Sequence, residues 1–154
     1  MKFKNLTDIS GKVELKLYNT ITGKVKIVRF SNVFCDAGKI SIARRLRGIT
    51  LINQGIITYC AVGTGTEPVL KTDTQLDQEH FRKLISVRSD VSNSAIFQTF
   101  YNTEEANGEL KEAGLFGDDA TLSADSGTLF ARTGFNLTKS DVETLTIRWT
   151  VEIG

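Results

Sequence analysis

The residues whose types and spacing could do chemistry gather between Tyr59 and Lys83. That stretch holds the only proline (Pro68), the only histidine (His80) and one of two cysteines (Cys60). Gly63-Thr64-Gly65 resembles half of a dinucleotide fingerprint, but the third glycine is missing, no helix pattern follows, and no Gly-Lys-Ser/Thr occurs. Neither a Rossmann nor a P-loop phosphate cradle is expected. The two glycines read as positions that permit positive φ in a tight turn. A Ser-His-Asp triad needs a histidine between a serine and a carboxylate. His80 is the sole candidate, and no nucleophile-elbow sequence accompanies it, so no catalytic residue is assigned.

Carboxylates occur in pairs, Asp73 with Asp77, Glu104 with Glu105, and Asp118 with Asp119. Glycoside hydrolysis would require two of them to face each other across a cleft. The segments 73–79 and 118–125 offer oxygen ligands suited to calcium, but neither has EF-hand spacing. Cys35 and Cys60 form no Cys-x-x-Cys pair, and one histidine leaves too few ligands for a usual zinc site. No metal or cofactor is expected, and the cysteines read as free, partly buried thiols, with a disulfide left open. One charged pair has a structural reading. Glu112 precedes Ala-Gly-Leu-Phe and Arg132 follows Leu-Phe-Ala. If those segments are neighbouring strands, an arginine fork could hold the carboxylate in a bidentate bond and fix strand register.

The elements that would position these groups are mostly strands. Val13, Leu15 and Leu17 alternate with polar residues over 12–18, and 24–30 follows as a second strand with Val25 and Ile27 on its apolar face. The lysines of these strands, Lys12, Lys16, Lys24 and Lys26, read as a solvated face, with nucleic-acid binding the alternative. Asp36 is placed to cap a helix over 37–47 whose apolar positions are Ile40, Ile42, Ala43 and Leu46, and Gly48 is placed to end it. Arg44, Arg45 and Arg47 sit in its last turn, where positive charge suits the helix dipole; an anion- or partner-binding patch is the alternative. Strands are expected at 56–62, after a turn at 53–55, and at 81–91, 95–101, 109–116 (with a bulge at Gly114) and 128–135. Asn107-Gly108 reads as a hairpin turn, and 117–127 as a long polar loop. At the chain end Leu145, Ile147, Trp149, Val151 and Ile153 alternate with polar residues, which specifies register strongly. About eight strands and one short helix predict an all-β fold, a β-sandwich or related barrel over residues 12–154, with 1–11 as an N-terminal arm.

The chain has 154 residues, 40% apolar and 24% charged, with a formal net charge of +1. That length suits one domain with a real core. Near-neutral charge gives no global field toward nucleic acid or an anionic membrane. No apolar run reaches membrane-spanning length and the first residues lack an apolar signal core, so a soluble product is expected.

Several blocks, in this order and spacing, resemble a family of small virion proteins of tailed bacteriophages. They include Thr22-Gly-Lys-Val25, Ile42-Ala-Arg-Arg-Leu46, Ala61-Val-Gly-Thr-Gly-Thr66, Asp73-Thr-Gln-Leu76, Glu112-Ala-Gly-Leu-Phe116, Gly127-Thr-Leu-Phe-Ala-Arg132 and Leu145-Thr-Ile-Arg-Trp149. The resemblance spans nearly the whole chain. It implies a non-enzymatic structural component of the virion, tail, tail-fibre or baseplate associated, made in the host cytoplasm. Its implied partners are copies of itself and other virion proteins, with no nucleic acid and no membrane. Alternatives are a capsid decoration or head-fibre protein, a host-glycan-binding module using Tyr59, Phe100 and Tyr101, and a small hydrolase with its carboxylates in a cleft. Within the virion reading, the loop after the 56–62 strand is the expected subunit contact, carried by Gly63, Gly65, Asp73 and Leu76.

Overall fold

A computed structural model describes residues 9–48 and 54–154. They form ten strands and one helix: β1 (Ile9–Asn19), β2 (Val25–Ser31), β3 (Val33–Phe34), α1 (Asp36–Leu46), β4 (Ile57–Gly63), β5 (Glu79–Leu84), β6 (Val87–Val91), β7 (Ser94–Tyr101), β8 (Gly108–Gly117), β9 (Thr128–Lys139) and β10 (Glu143–Ile153). The strands make two five-stranded sheets, β2-β1-β10-β7-β6 (sheet A) and β3-β9-β8-β4-β5 (sheet B). Every described pairing is antiparallel. The fold is an all-β sandwich.

The alternation at the two ends of the chain makes the centre of sheet A. β1 and β10 pair from Ile9↔Ile153 to Asn19↔Glu143, so Val13, Leu15 and Leu17 stand beside Trp149, Ile147 and Leu145. All six are buried, and they meet Cys60, Val62, Leu110, Leu115 and Phe130 from sheet B in the core. Ile153 alone of its row is exposed. Because β1 already begins at Ile9, residues 9–11 of the expected arm belong to the sandwich; residues 1–8 lie outside the described residues, as does Asn53 of the expected 53–55 turn.

Four local expectations are corrected. β2 turns Val28 and Phe30 inward, while Val25 and Ile27 face solvent. As an edge strand with apolar residues on both sides, its periodicity does not choose a face. The expected 81–91 strand breaks at Ile85-Ser86 into β5 and β6, which belong to different sheets. Likewise Asn107-Gly108 ends a crossover from β7 in sheet A to β8 in sheet B, with no hairpin there. The bulges in β8 fall between Leu110 and Glu112 and between Leu115 and Phe116, so Gly114 stays in register opposite Arg132. A Cβ on Gly114 would crowd Leu129 and Leu76, which explains the glycine by space.

The helix also differs from its sequence reading. Its N-cap is Cys35 with extended dihedrals and no side-chain cap bond, and Asp36 is the first helical residue. The start is fixed through the backbone, by Cys35 N–H to Phe130 C=O at 2.7 Å and Asp36 N–H to Lys71 C=O at 2.8 Å. The helix buries Gly38 and Ser41, and Gly38 lies so close to Phe130 Cα that a Cβ would collide. Ile40 and Leu46 are exposed. Gly48, at φ 86°, ends the helix as expected.

Candidate functional site

The segment between β4 and β5, residues 64–78, folds back over the outer face of sheet B. There Leu76 packs with Cys35, Ala61, Phe116 and Leu129 in a second, smaller core. Leu76 is 1% exposed. It is thus a core residue of the sandwich and offers no surface to a neighbouring subunit, which corrects its expected role.

Glu112 and Arg132 meet beneath this loop. Arg132 Nε and Nη2 both reach Glu112 Oε2, at 2.9 and 2.8 Å. The expected bidentate fork is replaced by convergence on one oxygen, because backbone amides claim the rest of the carboxylate. Gly65 N–H at 3.1 Å and Gln78 N–H at 2.8 Å donate to Oε1, and Asp77 N–H donates to Oε2 at 3.0 Å. Arg132 Nη1 binds Asp73 Oδ2 at 2.7 Å, and its remaining N–H groups donate to the Pro68 and Glu67 carbonyls. Burial lowers the Arg132 guanidinium's proton affinity, but its bonds to Asp73 and Glu112 outweigh that and hold it above its usual value. One carboxylate and one guanidinium therefore pin both ends of a loop that has no strand of its own.

Gly63 and Gly65 serve this cluster by being small. Neither is among the described glycines with positive φ, namely Gly23, Gly48, Gly55, Gly108 and Gly127. A Cβ at Gly63 would lie 2.5 Å from Gln78 O and Glu112 Oε1, and one at Gly65 would lie 2.5 Å from Asp77 Oδ2 and Glu112 Oε1. The expectation of a φ requirement is corrected to one of close approach. Asp73 closes a short turn with Leu70, and Asp77 accepts the amides of Thr66 and Glu67. Of the expected contact set, Gly63, Gly65 and Leu76 are buried, and Asp73 is half-buried and engaged by Arg132. The solvent-facing part of the loop is elsewhere, at Glu67, Leu70, Thr74 and Gln75.

A second buried pair locks the other cover of sheet B, the 118–127 loop. Arg82 grips Glu79 with two bonds, Nε to Oε1 at 2.6 Å and Nη2 to Oε2 at 2.8 Å. Its Nη1 reaches Thr121 C=O and Ser126, and Asp125 N–H donates to Glu79. The guanidinium carbon also lies 4.4 Å from the Phe116 ring centre. Residues three apart on a strand normally face opposite sides. Here Gly63 opposes Glu79 while Val62 opposes Phe81, so His80 is the extra residue of a bulge that returns Glu79 to the Arg82 side. No sequence pattern announces that bulge or the pair it brings together.

His80 itself is exposed and its Nε2 lies 2.9 Å from the Asn107 carbonyl, to which it donates. Asn107 also accepts from buried Lys139 Nζ at 2.6 Å, and burial lowers the Lys139 pKa. Ser41, Gln54 and Asp118 form a further cluster that ties α1 to the turn before β4, with Ser41 Oγ donating to Asp118 at 2.6 Å. Cys35 and Cys60 are free and buried; burial pushes the Cys35 thiol up to about 12. Thr99 Oγ1 and Trp149 Nε1 have no well-formed hydrogen bond. The buried Cys60 thiol is the polar group near both, and together with Tyr101 they offset part of the rise that burial imposes on it. Tyr101 is wholly buried and donates to Cys60 C=O at 2.9 Å, so it cannot offer its ring to a glycan.

The carboxylates singled out at 73, 77, 79 and 118 are thus all engaged by internal donors. Among the described residues no three His, Cys, Asp or Glu side chains converge as metal ligands do, and no helix is long and apolar enough to cross a membrane. A hollow of about 620 Å³ opens beside Asp73, Gln75 and Arg132, but the arginine at its floor is already saturated. The cluster is built to hold a loop rigid, its carboxylates and guanidinium bonded to one another and to the loop backbone. Comparison with known protein families, characterised proteins and solved structures finds no match.

The two outer faces of the sandwich differ. Sheet B is covered by its loops; among the described residues no loop covers the outer face of sheet A. Across sheet A, Ile27, Lys16, Thr146 and Phe100 form one row, and Arg29, Glu14, Arg148, Gln98 and Val87 the next. Tyr18, Val25, Ile27, Val87 and Phe100 are exposed there, alongside Lys12, Lys16, Arg29 and Arg148. Lys24 and Lys26 are not in these rows; Lys26 stands on the inner side opposite Leu17. The four lysines therefore do not form one basic face.

Proposed function

We propose that this chain is a structural component of a tailed-bacteriophage virion, tail-associated, which acts by self-assembly and by attachment to other virion proteins, without catalysing a reaction. The observation that carries the reading is the asymmetry of the two sheets. Two buried ion-pair networks seal the loops over sheet B, while among the described residues sheet A leaves an apolar and basic face and two unpaired edge strands to solvent. A rigid unit with one finished side and one unfinished side suits repeated packing in an assembly. The sequence resemblance supplies the virion setting. Burial of Tyr101 removes the central aromatic of the glycan-binding alternative.

The test has two arms. Light scattering after size exclusion gives the mass in solution, and immunogold electron microscopy of intact particles gives the position. Self-association together with gold along the tail is the expected result. Gold on the head would favour capsid decoration, and a stable monomer that never enters particles would overturn the reading.

A further inference from the structure

Sheet A ends on β6, which among the described residues pairs with β7 alone and is exposed at every residue from Val87 to Val91. An open edge strand is a template for pairing unless its side chains forbid it. The sequence here is Val-Arg-Ser-Asp-Val, which is complementary to itself when reversed. We propose that β6 pairs antiparallel with β6 of a second copy of this chain, with Ser89 on the two-fold axis, so that two five-stranded sheets become one continuous sheet. This deepens the self-assembly reading above and rests on it only in taking a second copy as the occupant.

The backbone fixes which registers are open. Val91 and Ser94 flank the two-residue turn at Ser92-Asn93, with Ser92 at φ 56°, and such a turn is closed by a hydrogen-bonded pair. Hydrogen-bonded and non-bonded pairs alternate along an antiparallel ladder. Val87, Ser89 and Val91 therefore point their amides and carbonyls at β7, and Arg88 and Asp90 point theirs at the open edge. A partner strand must match those outward groups, so shifts of one residue are excluded. Shifting by two sets Arg88 against Arg88 of the partner subunit, or Asp90 against Asp90 of the partner subunit. Only the register centred on Ser89 sets each Arg88 opposite the partner's Asp90 and each Val87 opposite the partner's Val91. It also satisfies the outward amides and carbonyls of both strands.

Charge separates this edge from the other edge of sheet A. β2 carries Lys26 and Arg29 and no acid, so self-pairing there gathers like charge. Among the described residues Arg88 makes one long 3.5 Å bond, to Ile57 C=O, and Asp90 is exposed, so both are open to a partner there. The contact is small beside the roughly 1,200 Å² of a standard interface. The dimer is therefore weak in solution and gains from the other contacts of an assembly.

Ser89→Cys tests the axis. In the proposed register the two residues form a non-bonded pair with Cα atoms about 4.5 Å apart, within disulfide reach, and the native thiols are buried. Mild oxidation at about 100 μM protein should give a disulfide-linked dimer on non-reducing gels, whereas Val87→Cys, which faces Val91 of the partner subunit, should stay monomeric. Arg88→Asp should weaken self-association by about tenfold or more in sedimentation equilibrium, and the reversal Arg88→Asp/Asp90→Arg should return it to within about threefold. These positions are exposed, so the fold tolerates the changes. An oligomer that persists without Ser89→Cys cross-linking, or a reversal that does not rescue, would overturn the edge pairing and leave self-assembly standing. A chain monomeric at every concentration would overturn both.

Discussion

Glu112 and Arg132 are diagonal neighbours on β8 and β9. Across the ladder Glu112 faces Gly134 and Arg132 faces Gly114, yet the side chains close to 2.8 Å with exposures of 1% and 3%. Two glycines opposite two long charged side chains leave the space in which the pair lies flat on the sheet. Each partner's desolvation is offset only while the other remains. Glu112→Gln and Arg132→Met should each cost about 3–5 kcal/mol. The double substitution should cost less than their sum by about 1 kcal/mol or more. Urea unfolding midpoints measure all three. Single losses below about 1 kcal/mol would show that the pair does not hold the loop.

The role of Gly65 is spatial, and that of Gly23 is conformational. Gly23, at φ +71°, has open space where a Cβ would go. Gly23→Ala should therefore cost only the left-handed backbone penalty, about 1–2 kcal/mol. Gly65→Ala pushes a methyl group against Glu112 and Asp77 and should cost about 3 kcal/mol, through overpacking and displaced amide donors. Thermal denaturation of the two variants ranks them directly. Equal losses would mean that the loop moves aside freely.

How far the sequence anticipates this molecule depends on whether a pattern is local. Leu145 to Val151 and Val13 to Leu17 alternate in strands with one buried face, so the strands and their inward rows are readable, whereas the pairing of β1 with β10 from opposite ends of the chain is not. The Glu112–Arg132 pair was readable because the segments around it are themselves recognisable neighbours. The break at Ile85-Ser86 was hidden, since no glycine or proline marks the point where the chain changes sheets. Asn107-Gly108 misled because the same turn chemistry serves a hairpin and a crossover. The burial of Leu76 is not legible, because a loop without periodicity gives no sign of which residue turns inward. The Glu79–Arg82 pair depends on one extra residue, His80, and becomes visible only with the pairing of β4 and β5.

Leu76 distinguishes a loop that belongs to the fold from one that only touches neighbours. It lies against Cys35, Ala61, Phe116 and Leu129. Leu76→Ala should cost about 2–5 kcal/mol in a purified monomer as in an assembly. Leu76→Asp buries an unpaired carboxylate and should prevent folding, so any assembly defect it causes reports on the fold. Substitutions at the exposed Thr74 and Gln75 report on contact. If Thr74→Arg leaves stability within about 0.5 kcal/mol of wild type but blocks incorporation, the outer side of the loop is an interface.

Acid should loosen the crossover between β7 and β8 through Glu105. Its carboxylate accepts Lys83 Nζ at 2.6 Å and Asn102 N–H at 2.9 Å, which joins the connection to β5. Burial raises the Glu105 pKa, and the hydrogen bonds from Lys83 and Asn102 outweigh it, so the group lies below its ordinary 4.5. A carboxyl depressed in the folded state adds stability above its unfolded pKa and loses it as pH falls through the folded one. Wild type should therefore exceed Glu105→Gln in melting temperature at about pH 7 and converge on it toward about pH 3, as protonation removes the same interactions. Melting curves across that range, with both proteins in the same salt, make the comparison. A gap that stays constant with pH would show that it does not come from the ionised carboxylate, and that acid unfolding begins elsewhere.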